Sequence, residues 1–444
     1  MTEPLASSHD PGTKRSGRLG GVISGGHSLM VLSVSVLAAL ITVAVTVVAA
    51  RVLSVEDNVK FLVFWSLLFG VSQVMNGVQN EATRAVGSLR TSGDAGQARV
   101  ILMPLLLGGA GALIVAAVLG VIAVFGGHPL PGVAPVVVAV SLVIAVSYGC
   151  LLTILGARAG RLDWTTVAGL GAIEPAVRLV TVLAVGLTLG GLVPLQLAAA
   201  LPALIWLPLA TFWRPVRIGV GARGDVALRR LLGNGALAMV AAGAGAVLIN
   251  GFPVLTRLAL ADRMTAVGLA TLLLAIQLTR APLMMPMAVF QGVAISAFVA
   301  RRNSGPKALV KPMLAIVALG AVLAAVMVAF GPFVMRLLYG AQYVPPRLLM
   351  GWLTFAATSI ALLTLTGTAA IAISAHRAYL AGWWVGASAA VAGLFLLPLP
   401  PEWRVVVAVL CGPLLGVVVH LLAIGRSADA GVESSDDDGA GVLA

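Results

Sequence analysis

The stretch Val47–Val86, VVAARVLSVEDNVKFLVFWSLLFGVSQVMNGVQNEATRAV, decides the fold. It closes one apolar segment, turns through a short polar run from Arg51 to Lys60, and opens a second apolar segment. The second segment carries Gln73, Asn76, Asn80 and Arg84 at spacings of three, four and four, which a helix places on one face. At membrane depth polar groups persist only against protein or a water-filled cavity. The stretch therefore reads as a membrane hairpin with one wet face.

The rest of the chain agrees with this reading. Sixty per cent of its residues are hydrophobic and 10% are charged, with a mean hydropathy of +1.06, well beyond a soluble domain. The 51 glycines suit helices that approach closely in lipid. A net charge of +12 is what cytoplasmic loops rich in Lys and Arg produce, so no nucleic-acid partner is expected. Cys150 and Cys411 both lie in apolar segments and form no CxxC pair. His27, His128, His376 and His420 are scattered near segment ends. No metal site or cofactor is expected from either set.

Twelve spans are expected, at 28–50, 61–82, 100–125, 134–155, 165–189, 193–213, 231–251, 266–298, 312–336, 348–373, 379–397 and 404–424. Each approaches the ~20 residues that a bilayer core requires. The first is too long for the apolar region of a cleaved leader. The eighth contains Pro282 and Pro286, which predict a kink. Loops on the N-terminal side hold nineteen Lys and Arg against seven on the other, so both termini are expected in the cytoplasm. Arg51 before an acidic turn (Glu56, Asp57) recurs as Arg257 before Asp262, an offset of 206 residues. That repeat divides the chain into a disordered basic N-terminus (1–26), a first six-helix lobe (27–213), a basic cytoplasmic linker (214–230), a second six-helix lobe (231–425) and an acidic disordered tail (426–444).

Three short segments carry a resemblance to a known family. AARVLSVEDNVKF, with its following span ending in ATRAV, resembles the first hairpin of the multidrug/oligosaccharidyl-lipid/polysaccharide (MOP) exporter superfamily. LLYGAQY at Leu337–Tyr343 is similar to the turn after the ninth span in that superfamily, and GARAGRLDW to its loop before span five. The chain departs from the pattern at Asn58. The resemblance implies a V-shaped pair of lobes around a central cavity, alternating access, and residence in the inner (plasma) membrane. Within the superfamily, the polysaccharide-unit flippases are the expected branch.

The residues bear on which substrate such a cavity takes. A polyprenyl-diphosphate-linked saccharide needs cations and amides around its head group, because Arg forks to phosphate oxygens. Expected cavity residues are Gln73, Asn76, Asn80 and Arg84 on span two, Glu174 and Arg178 on span five, and Gln277 and Arg280 on span eight. A cation-coupled multidrug exporter, the alternative, would use unpaired carboxylates and an aromatic-rich pocket. Here Glu174 has Arg178 one turn away. Each candidate also has a structural reading. Glu174 and Arg178 would form an i,i+4 helix pair, Arg84 would reach the inner interface, and the amides would bind helix to helix. A polytopic glycosyltransferase is less consistent, since no outer loop is long enough for a catalytic domain, and Ser54-Val55-Glu56-Asp57 reads as an N-cap with acids in the first turn. No enzyme activity is expected. The expected partners are the lipid-linked saccharide, the membrane and envelope glycosyltransferases.

Overall fold

The computed structural model describes residues 25–92, 96–124, 135–280, 307–373 and 375–440. They form α1 (Gly25–Val52), α2 (Val55–Ser92), α3 (Gly109–Val124), α4 (Pro135–Gly160), α5 (Trp164–Thr188), α6 (Leu192–Ala200), α7 (Trp206–Phe212), α8 (Arg214–Val220), α9 (Leu228–Gly245) and α10 (Phe252–Leu260). These are followed by α11 (Ala266–Arg280), α12 (Lys307–Tyr339), α13 (Arg347–Ala372), α14 (His376–Leu396) and α15 (Pro401–Ala440). Ten apolar stretches are long enough to cross a bilayer, and the shorter apolar helices Pro104–Val118 and Ala266–Arg280 fall at the third and eighth expected spans. Each of the twelve expected positions thus holds helix among its described residues, the eighth only as far as Arg280. The proposed kink at Pro282 and Pro286, and the N-terminus before Gly25, lie outside the described residues.

Local chemistry sets the helix ends and breaks. The Asp57 backbone N–H donates to Ser54 Oγ at 3.2 Å, so Ser54 caps α2 as its sequence suggests. The Asp163 carboxylate accepts from the Thr166 N–H at 3.1 Å and caps α5. Burial opposes ionisation of this carboxyl, but hydrogen bonds from Thr166 and Arg158 outweigh it, and the pKa falls below the ordinary value. Three spans are interrupted. A π turn at Pro104–Gly108 precedes α3, a 3-10 turn at Leu201–Leu204 separates α6 from α7, and a π turn at Ala246–Gly251 separates α9 from α10. Prolines at 104, 202 and 253 accompany them, each removing an N–H from the helical ladder.

Two helix groups pack around α2. One buried core joins α1, α2, α4, α5 and α6 through Val45, Phe61, Trp65, Ile144, Val182 and Leu195. Another joins α9 to α15, and Val59 and Leu62 of α2 belong to it. The antiparallel α2 and α9 approach so closely that a Cβ on Gly77 would sit 2.4 Å from the Ala238 carbonyl carbon.

The basic segment 214–230 holds α8, and its backbone pairs with residues 97–100, with Gly224 N–H donating to Ala98 O at 2.8 Å and Val100 N–H to Ala222 O at 3.0 Å. The expected disordered tail is helical to Ala440, since an already formed helix propagates without a new nucleus.

Candidate functional site

Glu174 and Arg178 lie one turn apart on α5, exposed by only 3% and 4%, and form an ion pair. Arg178 Nε also donates to Ala199 O at 2.9 Å, and Thr181 Oγ1 donates to Ala198 O at 2.8 Å. Ala198 O lies four residues before Pro202, which has no N–H to give it, and Ala199 O is released where α6 tightens into the 3-10 turn Leu201–Leu204. The guanidinium lies over the rings of Trp65 (5.7 Å) and Phe69 (5.3 Å). A cavity of about 160 Å³ adjoins the pair, lined also by Thr42, Tyr148 and Pro175.

Arg280, at the end of α11, is 7% exposed. Its Nη1 donates to Leu248 O at 3.1 Å and Ile249 O at 2.6 Å, inside the π turn between α9 and α10. Pro253 explains the vacancy at Ile249, the carbonyl four residues before it. The Phe252 ring lies 5.5 Å below the guanidinium. Arg280 Nη2 has no partner among the described residues, and neither does Gln277 Nε2 one turn earlier. No acid pairs with Arg280 among the described residues.

The α2 stripe divides along its length. Gln73 and Asn76 are half-buried and bond to each other, Asn76 Nδ2 donating to Gln73 Oε1 at 3.3 Å. Asn80 and Arg84 are exposed. Arg84 binds Glu81 at 2.7 Å and Asp225 at 2.9 Å, while Asn234 Nδ2 of α9 donates to Glu81 Oε1 at 3.0 Å. Through hydrogen bonding, Arg84 holds the Asp225 carboxyl below its ordinary pKa. Arg84 thus joins α2 to the linker, and Glu81 joins α2 to α9, rather than merely meeting the interface.

At the opposite end, Arg51 Nε donates to Leu338 O at 2.9 Å. Thr46 Oγ1 lies 3.3 Å from the Tyr339 hydroxyl, and Asn58 Nδ2 donates to the Tyr343 hydroxyl at 3.4 Å. The turn uses Gly340 at φ +120°, a value that strains any residue with a Cβ. The first hairpin and the LLYGAQY turn therefore touch. Sequence reasoning singled out both segments but not their contact. It missed Asp225 and Asn234 altogether. Only the i,i+3 spacing of Glu81 and Arg84 pointed to that cluster.

The expected cavity residues do not converge on one point. Arg178 is held by α2, α5 and α6, and Arg280 by α9 and α10, with no hydrogen bond or ring contact in common.

Spans of this number and length, with polar side chains buried inside them, define a polytopic α-helical membrane protein. The fold is that of MATE transporters of the MOP superfamily. An inward-facing multidrug resistance MATE family transporter superposes with a TM-score of 0.63 at 13% identity, covering 92% of this chain and 99% of that one. A MOP superfamily transporter from Pyrococcus furiosus, described as having a binding pocket of reverse polarity, gives 0.59 at 13% identity over 90% of this chain and 95% of that one. No family model matches. The uncharacterized protein Rv3630 of Mycobacterium tuberculosis H37Rv is 36% identical over 416 residues, 93% of this chain and 95% of the relative. Rv1510 of the same strain is 34% identical over 415 residues, 92% of this chain and 94% of the relative. The chain belongs to the family of these mycobacterial proteins.

Proposed function

We propose that this protein is a transporter of the cytoplasmic membrane. It flips a polyprenyl-diphosphate-linked saccharide by alternating access, with envelope glycosyltransferases supplying the substrate. The fold supports transport, and Arg280 carries the choice of substrate. Its guanidinium is buried at the end of α11 and, among the described residues, has no acidic partner and keeps one nitrogen unbonded. A diphosphate is the chemistry that uses such a group, since charge-assisted bonds to phosphate are about twice as strong as neutral ones. The multidrug-exporter alternative needs an available carboxylate, and Glu174 is already held by Arg178. The Pyrococcus furiosus transporter, whose reverse pocket polarity suggests a different function, supports separating this fold from drug export.

The test is a liposome assay with a labelled polyprenyl-diphosphate saccharide. Arg280→Gln should insert normally and flip the lipid at least tenfold more slowly, and Arg280→Lys should recover part of the rate because an ammonium lacks the planar fork. Parental flipping by a normally expressed Arg280→Gln protein would refute the assignment. Loss of cation export instead would select the multidrug reading.

A further inference from the structure

A separate cavity of about 420 Å³ lies between α2, α3 and α4, with Met239 of α9 at its edge. Its lining is hydrocarbon or thioether except for Ser141, and that hydroxyl already donates to Val137 O at 2.6 Å. No side-chain donor in the wall is left for a phosphate head group. The hollow is carved by small residues, since Gly108, Gly111, Ala112 and Ala145 face Phe64, Leu68 and Met75. A Cβ on Gly111 would meet nothing within 4 Å. Leu105 and Leu106, each 46% exposed, and Leu113, 74% exposed, flank it with apolar surface suited to lipid.

Its place on α2 is informative. At 100° per residue, the groove residues Phe64, Leu67, Leu68, Val71 and Met75 centre on one face, and Gln73, Asn76, Asn80 and Arg84 on the opposite face. One helix thus separates an almost wholly apolar hollow from a polar stripe. Met239 follows Ala238, whose backbone presses on Gly77, so the edge of the hollow belongs to the seam between the two helix groups.

We infer that this groove binds the polyprenyl chain of the substrate, an inference that rests on the transport reading above. At ~30 Å³ per water-sized group the groove holds about fourteen such groups, roughly the carbons of three isoprene units. Lipid tails are as apolar as the groove, so transfer from water supplies no selectivity and packing must supply it. Methyl branches fill the pits left by Gly and Ala, and a straight acyl chain leaves them empty. The location at the seam lets the chain stay in the bilayer while the polar part of the same molecule is handled on the other side of α2.

The experiment uses the full-length protein in liposomes with two photoreactive probes, a diazirine-bearing polyprenyl phosphate and a diazirine-bearing phosphatidylglycerol. The polyprenyl probe should label residues 107–115 and 138–145, and excess unlabelled lipid-linked saccharide should reduce that label at least fivefold. Gly111→Leu, whose Cβ would meet nothing within 4 Å, adds a bulky side chain to the groove wall and should abolish the label. Ala112→Leu, as an independent filling variant, should reduce it. Equal labelling by the phosphatidylglycerol probe, or no competition, overturns the inference. So does parental flipping by a filled Gly111→Leu protein, which leaves the transport reading intact. Competed polyprenyl labelling in a parent that flips no saccharide supports the groove and overturns only the transport reading.

Discussion

Arg178 and Arg280 answer the same physical problem in two ways. Each is buried in an apolar helix, lies over at least one aromatic ring and takes carbonyls exposed where a neighbouring helix breaks beside a proline. Arg178 also has Glu174, and its charge is closed within the first helix group. Arg280 has carbonyls alone, and one nitrogen remains unbonded among the described residues. The contrast teaches that a helix break orients a buried cation without neutralising it. A neutralised cation is suited to holding helices together, and one left charged is suited to receiving an anion.

The largest expected effect breaks the first half of this contrast. Glu174→Gln leaves Arg178 buried and charged without an acid, and removal of one partner from a buried pair costs about 3–5 kcal/mol. The detergent-solubilised variant should lose most of its folded yield. Replacing both residues with Met and Leu should restore it, as thermal unfolding would record. If Glu174→Gln folds normally but abolishes transport, the pair is functional and the contrast with Arg280 disappears.

Pro253→Ala probes the other half. It restores an N–H that competes with Arg280 for Ile249 O. A hydrogen bond to a charged group contributes about 1.5–3 kcal/mol, and partial competition should remove a fraction of that. The expected result is a shorter π turn, unchanged insertion and a severalfold slower flipping rate. Pro202→Ala, beside Arg178, should leave flipping near the parental rate because Glu174 still holds the guanidinium.

The smallest effect concerns an exposed arginine, Arg84, which sharpens the comparison by removing burial. Its partner Asp225 has a depressed pKa, caused first by the hydrogen bond from Arg84. The contribution of this contact is therefore complete above the ordinary Asp value near 4 and is lost as pH falls through the lower, folded-state value. Arg84 is 45% exposed, so screening limits the contribution to about 0.2–1 kcal/mol. Unfolding midpoints should be flat with respect to this group from pH 5 to 8 and drop below pH 4, and Asp225→Asn should remove that part of the drop. An unchanged acid profile in Asp225→Asn would show that the latch does not contribute.

Much of this was legible in the chain. The twelve apolar stretches, the Ser54 cap and the Glu174–Arg178 pair are local facts, carried by hydropathy over ~20 residues, a three-residue reach and one helical turn. Arg280 could be recognised as a charge inside a span, but its partners could not. Leu248 and Ile249 lie on another helix, and backbone carbonyls leave no mark in side-chain patterning. The same holds for Asp225 and Asn234, which only close packing of α2 on α9 at Gly77 brings to Glu81 and Arg84. Hydropathy and spacing determined where the helices are and which charges are stranded in them. Tertiary structure alone decided which carbonyls hold those charges, and that among the described residues no acid reaches Arg280, because distances across helices are encoded by no spacing along one helix.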